Sequence, residues 1–200
     1  MNADHYFTSD TGDSFERESF SCQVWGHELT LSSAPGMFSR GHLDHATAVL
    51  FRETEPPAQG QFLDLGCGYG VIGLAIAKAV PLAQVIGVEV NERAITLANE
   101  NAKALRLAGR FVACTAEQVP SDLMFDEIWS NPPIRIGKPA LRDLLLTWLP
   151  RLRPEGRAVM VVGKNLGADS LQRWLTEQGW PATRLASAKG FRVLEARLAR

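Results

Sequence analysis

The chain has 200 residues, enough for one compact domain, and its 46% hydrophobic and 22% charged residues are ordinary for a globular protein. No apolar run reaches the roughly 18 residues of a membrane span, and the start, MNADHYFTSDTGD, lacks the cationic head and apolar stretch of a secretory signal, so a cytoplasmic protein without membrane contact is expected. The net charge of −1 conceals an asymmetry: residues 1–134 sum to −9 and residues 135–200 to +8. A basic C-terminal part suits a phosphate-binding face, and it equally suits arginines at the solvated ends of helices and strands. The cysteines Cys22, Cys67 and Cys114 form no CxxC pair, so neither a disulfide framework nor a metal site is indicated.

Residues 8–19, polar and acidic, read as a mobile segment. SCQVW and ELTLS alternate and predict a β-hairpin turned at Gly26-His27. Pro35, Gly36 and Gly41 break regularity, after which Leu43, Ala46, Val49 and Leu50 fall at helical spacing up to Pro56-Pro57. Beyond residue 60 the pattern alternates: QFLDL a strand, VIGLAIAKAV a helix, QVIGVEV a strand, ERAITLANENAKALRL a helix. GRFVACT and FDEIWS follow as strands, KPALRDLLLTWLPRL as a helix, RAVMVVG as a strand and SLQRWLTEQG as a helix. The final runs, ATRLAS and FRVLEARL, are separated only by AKG and must pair antiparallel. Alternating strands and helices predict an α/β fold with a mostly parallel sheet covered on both faces.

Asp64-Leu-Gly-Cys-Gly-Tyr-Gly70 sits between a strand and a helix, where open α/β sheets bind ligands. Glycines there let the backbone turn tightly and approach a ligand closely. Glu89, at the end of the next strand, can accept hydrogen bonds from both hydroxyls of a ribose. Gly68, Gly70 and Gly73 also spell G-x-G-x-x-G, with Glu89 about where a dinucleotide site has its acid. Against that reading, Asp64 repels a pyrophosphate and suits an ammonium group. Asp64 also reads as a loop-fixing or helix-capping carboxylate.

A second motif, Asn131-Pro132-Pro133-Ile134-Arg135, ends the FDEIWS strand. Two prolines fix the backbone and remove two amide donors. The Asn131 side-chain oxygen and the Pro132 carbonyl become rigid neighbouring acceptors, a pair able to hold an NH2 group by both hydrogens. Chemistry at a nitrogen held in this way needs orientation and electrostatics more than acid–base groups, and this chain has only four histidines and no obvious triad.

These residues resemble the methyltransferase small domain family, the catalytic domain of RsmC-type enzymes that methylate guanine N2 in small-subunit ribosomal RNA. The likeness covers nearly the whole chain: His5-Tyr6-Phe7, Pro35-Gly36-Met37-Phe38-Ser39, Leu43-Asp44, Asp64 to Gly73, Asn131 to Arg135 and Gly190 to Leu194. It implies a Rossmann-like class I methyltransferase fold with a seven-stranded sheet ending in an antiparallel hairpin. One domain over 1–200 is expected: 1–20 an extension, 21–58 the hairpin and helix, 59–200 the catalytic core.

The implied cofactor is S-adenosyl-L-methionine, bound by Asp64, Gly66, Cys67, Gly68, Gly70, Glu89 and Val90, with Ala116 and Glu117 bordering the adenine and Asn131 adjoining. Asn131, Pro132 and Pro133 are the implied catalytic residues. Phe38, Ile134 and Arg135 fall on the substrate side, although Phe38 also reads as core. RNA, ribosomal in the first instance, is the implied substrate. A glutamine amide in a protein, or a small-molecule amine, presents the same NH2 and is the alternative. Two features depart from the family pattern. Ile134 stands where many such enzymes have an aromatic residue that can stack on a base. No counterpart of the extra N-terminal domain of RsmC-type enzymes is expected, so recognition is expected from this domain, another protein or an oligomer, a homodimer included.

Overall fold

The computed structural model describes residues 17–34, 41–132 and 137–199. It opens with β1 (Glu18–Val24) and β2 (His27–Ser33), an antiparallel pair that forms its own two-stranded sheet. Trp25 and Gly26 turn the hairpin, both at positive φ (48° and 80°), the conformation whose twist matches antiparallel strands. The turn therefore falls one residue earlier than Gly26-His27, and His27 pairs with Val24. β1 also reaches back into the acidic stretch read as mobile. There the Ser19 and Ser32 hydroxyls meet at 3.4 Å, and those of Ser21 and Thr30 at 2.8 Å. These polar pairs line the exposed face of β1, while Phe20, Cys22 and Val24 on the other face turn toward the core.

Helix α1 (His45–Arg52) starts at Asp44, whose carboxylate accepts the Thr47 N–H at 2.9 Å. It ends at Arg52, before the Pro56-Pro57 pair. The core then runs β3 (Gln61–Leu65), α2 (Val71–Ala79), β4 (Gln84–Val88), α3 (Glu92–Ala104), β5 (Phe111–Cys114) and β6 (Phe125–Ser130). It continues with α4 (Lys138–Trp148), β7 (Leu152–Gly163), α5 (Ala168–Glu177), β8 (Ala182–Ala188) and β9 (Phe191–Ala196). α4 is shorter than its apolar pattern, because Leu149–Arg151 tightens into a 3-10 turn around Pro150, which has no N–H to continue the ladder.

The seven strands lie in the order β5-β4-β3-β6-β7-β9-β8. All neighbours are parallel until β9, which runs antiparallel to both β7 and β8. This mostly parallel seven-stranded sheet with an antiparallel end is the Rossmann-like methyltransferase fold that the resemblance implied. Side-chain alternation splits the core between the two faces of the sheet. Phe62 joins the apolar cluster of α1, α2, α3 and the hairpin, whereas Leu63 and Leu65 join that of α4 and α5. By the same period of two, Asp64 shares the face of Phe62 and lies beneath α2. β3 has β4 on one side and β6 on the other, so the chain reverses its winding between β3 and β6. That reversal is the switch point at which open sheets bind ligands.

Candidate active site

The switch point carries both motifs. Asp64, on β3, is fully buried, and its Oδ2 accepts the Gly73 N–H at 2.7 Å. Its Oδ1 has no hydrogen-bond partner. Burial pushes the carboxyl pKa up to about 7, against the lowering effect of the Gly73 N–H, and the nearby Glu89 charge adds to the rise. A buried carboxylate with one orphaned oxygen is the complement of an ammonium group. The residues thus fit the methionine end of S-adenosylmethionine, and Asp64 both fixes the loop and keeps an oxygen to offer.

The loop after β3 is stitched to its neighbours. Gly66 and Cys67 both donate N–H to the Val88 carbonyl, at 2.9 and 3.0 Å, and Glu89 donates to the Cys114 carbonyl at 3.2 Å. Glu89 closes the arrangement: Oε2 accepts the Gly68 N–H at 3.0 Å, while Oε1 accepts those of Val90 and Asn91 at 2.8 and 3.1 Å. Two glycines of the loop serve opposite ends. A Cβ on Gly68, at φ +54°, would meet nothing within 4 Å, so the loop is open there; a Cβ on Gly73 would lie 2.5 Å from the Phe111 ring. Gly68 thus leaves room for a ligand and Gly73 lets α2 press onto the sheet.

Cys67 is buried, and a Cβ added at Gly87 would lie 2.8 Å from its sulfur. That burial leaves its backbone rather than its sulfur for a ligand, and it raises the thiol pKa well above the ordinary range. Gly70 is the left-handed residue that launches α2. Val90 is 90% exposed, an uncovered apolar surface beside Glu89. Ala116 and Glu117, also exposed, lie in a 3-10 turn after β5 held by the Thr115 and Gln118 capping box.

Asn131 and Pro132 follow directly on β6, whose Trp129 pairs with Asp64 across the sheet. The Ser130 hydroxyl donates to the Leu65 carbonyl at 2.7 Å and locks the two strand ends together. Pro132 is buried. Asn131 donates from Nδ2 to Asp44 Oδ2 at 2.8 Å and to Thr47 Oγ1 at 3.0 Å. Phe38, Pro133, Ile134 and Arg135 lie outside the described residues.

Three polar residues at the site escaped the role assignments from sequence. Asp44 and Thr47 hold Asn131; the Asp-x-x-Thr spacing of a helix start was the visible signal. Asn101, on α3, accepts the Ser32 N–H at 2.8 Å and donates to the Ser32 and Tyr69 carbonyls, each at 3.0 Å. It ties the hairpin to the glycine loop, and nothing in its helical surroundings marks it. Among the described residues no cluster of side chains could hold a metal ion, and no helix is long and apolar enough to cross a membrane.

A glycine loop and an Asn-Pro end on adjacent strands of this sheet define a class I methyltransferase, and the chain belongs to the methyltransferase small domain family, whose model matches residues 28–195. Membership of that family makes it an S-adenosyl-L-methionine-dependent methyltransferase. Among its relatives, protein YbxB of Bacillus subtilis (strain 168) is 29% identical over 198 residues, 98% of each chain. Ribosomal RNA small subunit methyltransferase C of Ectopseudomonas mendocina (strain ymp) is 33% identical over 187 residues, 89% of this chain and 54% of that protein. The solved structure of the T. thermophilus 16S rRNA N2 G1207 methyltransferase (RsmC), in complex with AdoMet and guanosine, superposes with a TM-score of 0.80 at 28% identity. It covers 94% of this chain and 51% of that one. The chain therefore spans about half the length of the ribosomal RNA methyltransferases it matches.

Proposed function

We propose that the chain methylates the exocyclic N2 amine of a guanine in RNA, ribosomal RNA foremost, in the cytoplasm. The observation that carries this reading is the position of Asn131 and Pro132 directly after β6, two and three residues beyond Trp129, the register partner of Asp64 on the adjacent strand. When bound, S-adenosylmethionine supplies an electrophilic methyl on a sulfonium. Asp64 anchors its ammonium, Glu89 takes the ribose hydroxyls, and the backbone of Gly66, Cys67, Gly68 and Gly70 shapes the cradle. Val90, Ala116 and Glu117 border the adenine. Asn131 Oδ1 and the Pro132 carbonyl accept the two amine hydrogens and aim the nitrogen lone pair at the methyl carbon. With the cofactor bound, the methyl would pass from the sulfonium sulfur to the amine nitrogen held by Asn131 and Pro132, and the nitrogen would give up one proton to water. Both acceptors hold the amine more strongly as it gains charge, which is stabilisation specific to the transition state. The resemblance adds Pro133, Ile134, Arg135 and Phe38, outside the described residues, to the groups assigned to the substrate.

The guanine amine is supported by the Thermus relative, whose complex holds guanosine. The test is transfer of labelled methyl into total RNA and total protein from cells lacking this gene. Label in an RNA species, lost with Asn131→Ala, is the expected result. Label in protein alone moves the substrate to a glutamine amide, and label in neither moves it to a small-molecule amine.

A further inference from the structure

A side-chain amide has an accepting end and a donating end, related by a half-turn. Which end of Asn131 faces the substrate decides whether the site selects an amine or a carbonyl. Asp44 Oδ2 lies 2.8 Å and Thr47 Oγ1 3.0 Å from the Asn131 nitrogen. A carboxylate oxygen only accepts, so Asn131 must turn its NH2 toward Asp44. The Thr47 hydroxyl donates to the same Asp44 oxygen at 3.3 Å, which leaves that hydroxyl an acceptor for the second amide hydrogen. Both hydrogens of Asn131 are thereby committed, and its Oδ1 takes no hydrogen bond from any described residue. Asp44 is itself pinned, since its Oδ2 also caps α1 through the Thr47 N–H at 2.9 Å. Thr47 is 2% exposed, so water cannot readily replace its part in the network.

We infer that Asp44, with Thr47, is a positioning and specificity-determining residue that locks the Asn131 amide with its oxygen toward the acceptor, so that the site takes amines and rejects carbonyls. This rests on the reading of Asn131 as the group that receives the acceptor amine. Asp44 does not touch the substrate; it acts through Asn131.

Two substitutions separate this role from helix capping. All three contacts to Asp44 run through one oxygen, so Asp44→Asn can present its carbonyl oxygen there and keep the whole set. Asp44→Ser keeps a good helix cap but is too short to reach Asn131. The first readout is the Asn131 side-chain NH2 pair in 15N–1H spectra of the full chain with S-adenosylhomocysteine, identified by its loss in Asn131→Ala. Its exchange with solvent is expected to be unchanged in Asp44→Asn and about tenfold faster in Asp44→Ser, the scale of one lost hydrogen bond to a charged group.

The second readout is methyl transfer to RNA. Asp44→Ser should lower kcat by about 10- to 100-fold, with KM for RNA and S-adenosylhomocysteine affinity within about twofold, and Asp44→Asn should restore most of it. Thr47→Val, which leaves the cap carboxylate in place, should give an intermediate loss and stands in should Asp44→Ser unfold. Wild-type kcat or wild-type amide protection in Asp44→Ser would overturn the assignment. Wild-type chain that methylates no RNA overturns the substrate reading alone, and the amide spectra then still decide the role of Asp44.

Discussion

Asp64 and Gly73 are joined by a 2.7 Å hydrogen bond that ties the end of β3 to the first turn of α2 and leaves the second carboxylate oxygen buried without a partner. One side chain thus builds the glycine loop and advertises an unmet need for a positive ligand group.

The raised Asp64 pKa, about 7 from burial, gives the first prediction. Its unfolded value is about 3.9, so the folded chain holds this proton more tightly. The associated stability is fully present below about pH 4 and is lost as pH rises through about 7. The ligand-free protein should therefore melt at a lower temperature at pH 8 than at pH 6, and Asp64→Asn should flatten that part of the difference. An ammonium ligand needs the ionised carboxylate. S-adenosylhomocysteine affinity should then rise with pH up to about 7, by at most about tenfold per unit, with a proton released on binding at pH 6. Calorimetry in buffers of different ionisation enthalpy measures both.

The two glycines should part company on substitution. Gly73→Ala places a methyl 2.5 Å from the Phe111 ring, an overpacking expected to cost about 1–3 kcal/mol in denaturant unfolding. Gly68→Ala meets open space at positive φ. It should cost about 1 kcal/mol of stability and weaken cofactor binding through the methyl at the mouth.

Glu89 bridges the glycine loop and the start of α3 through three backbone N–H groups. Glu89→Ala, and separately Asp64→Ala, should weaken S-adenosylmethionine binding by about 1–3 kcal/mol, the scale of losing a charged hydrogen-bond partner. Unchanged calorimetric affinity in both would displace the cofactor site from the end of β3.

The strands and helices of the core were legible in the sequence because runs such as QFLDL and VIGLAIAKAV are apolar enough to declare their burial. The turn at Trp25 was not, since a tryptophan at φ 48° defies the ordinary turn residues. Asp64 and Glu89 stood out because motif spacing is local. Asp44 and Thr47 did not, because their partner Asn131 lies 87 and 84 positions away and only folding unites them. The basic C-terminal part shows the limit of counting charge. Arg157 lies between Glu127 and Glu195, Arg184 and Arg192 both reach Asp169, and Arg151 donates to the Pro120 and Leu123 carbonyls. Several of those arginines hold the fold together.

Lys138, at the start of α4, and Lys164, just beyond β7, are exposed. Both stand beyond the carboxyl ends of strands, as Asn131 does. If RNA docks here, Lys138→Ala and Lys164→Ala should each weaken binding and each lower the slope of log affinity against log salt by about 0.7–0.9. Filter binding across a salt series measures it, and an unchanged slope in the double variant would place the RNA elsewhere.

The most direct measurement of the central claim is the identity of the methylated product. RNA labelled by the purified chain is digested to nucleosides and resolved against standards, alongside RNA treated with Asn131→Ala. N2-methylguanosine formed by the wild type, and reduced at least about 100-fold in the variant, is the result expected. Label in any other nucleoside, or equal label from Asn131→Ala, would contradict the account of this site.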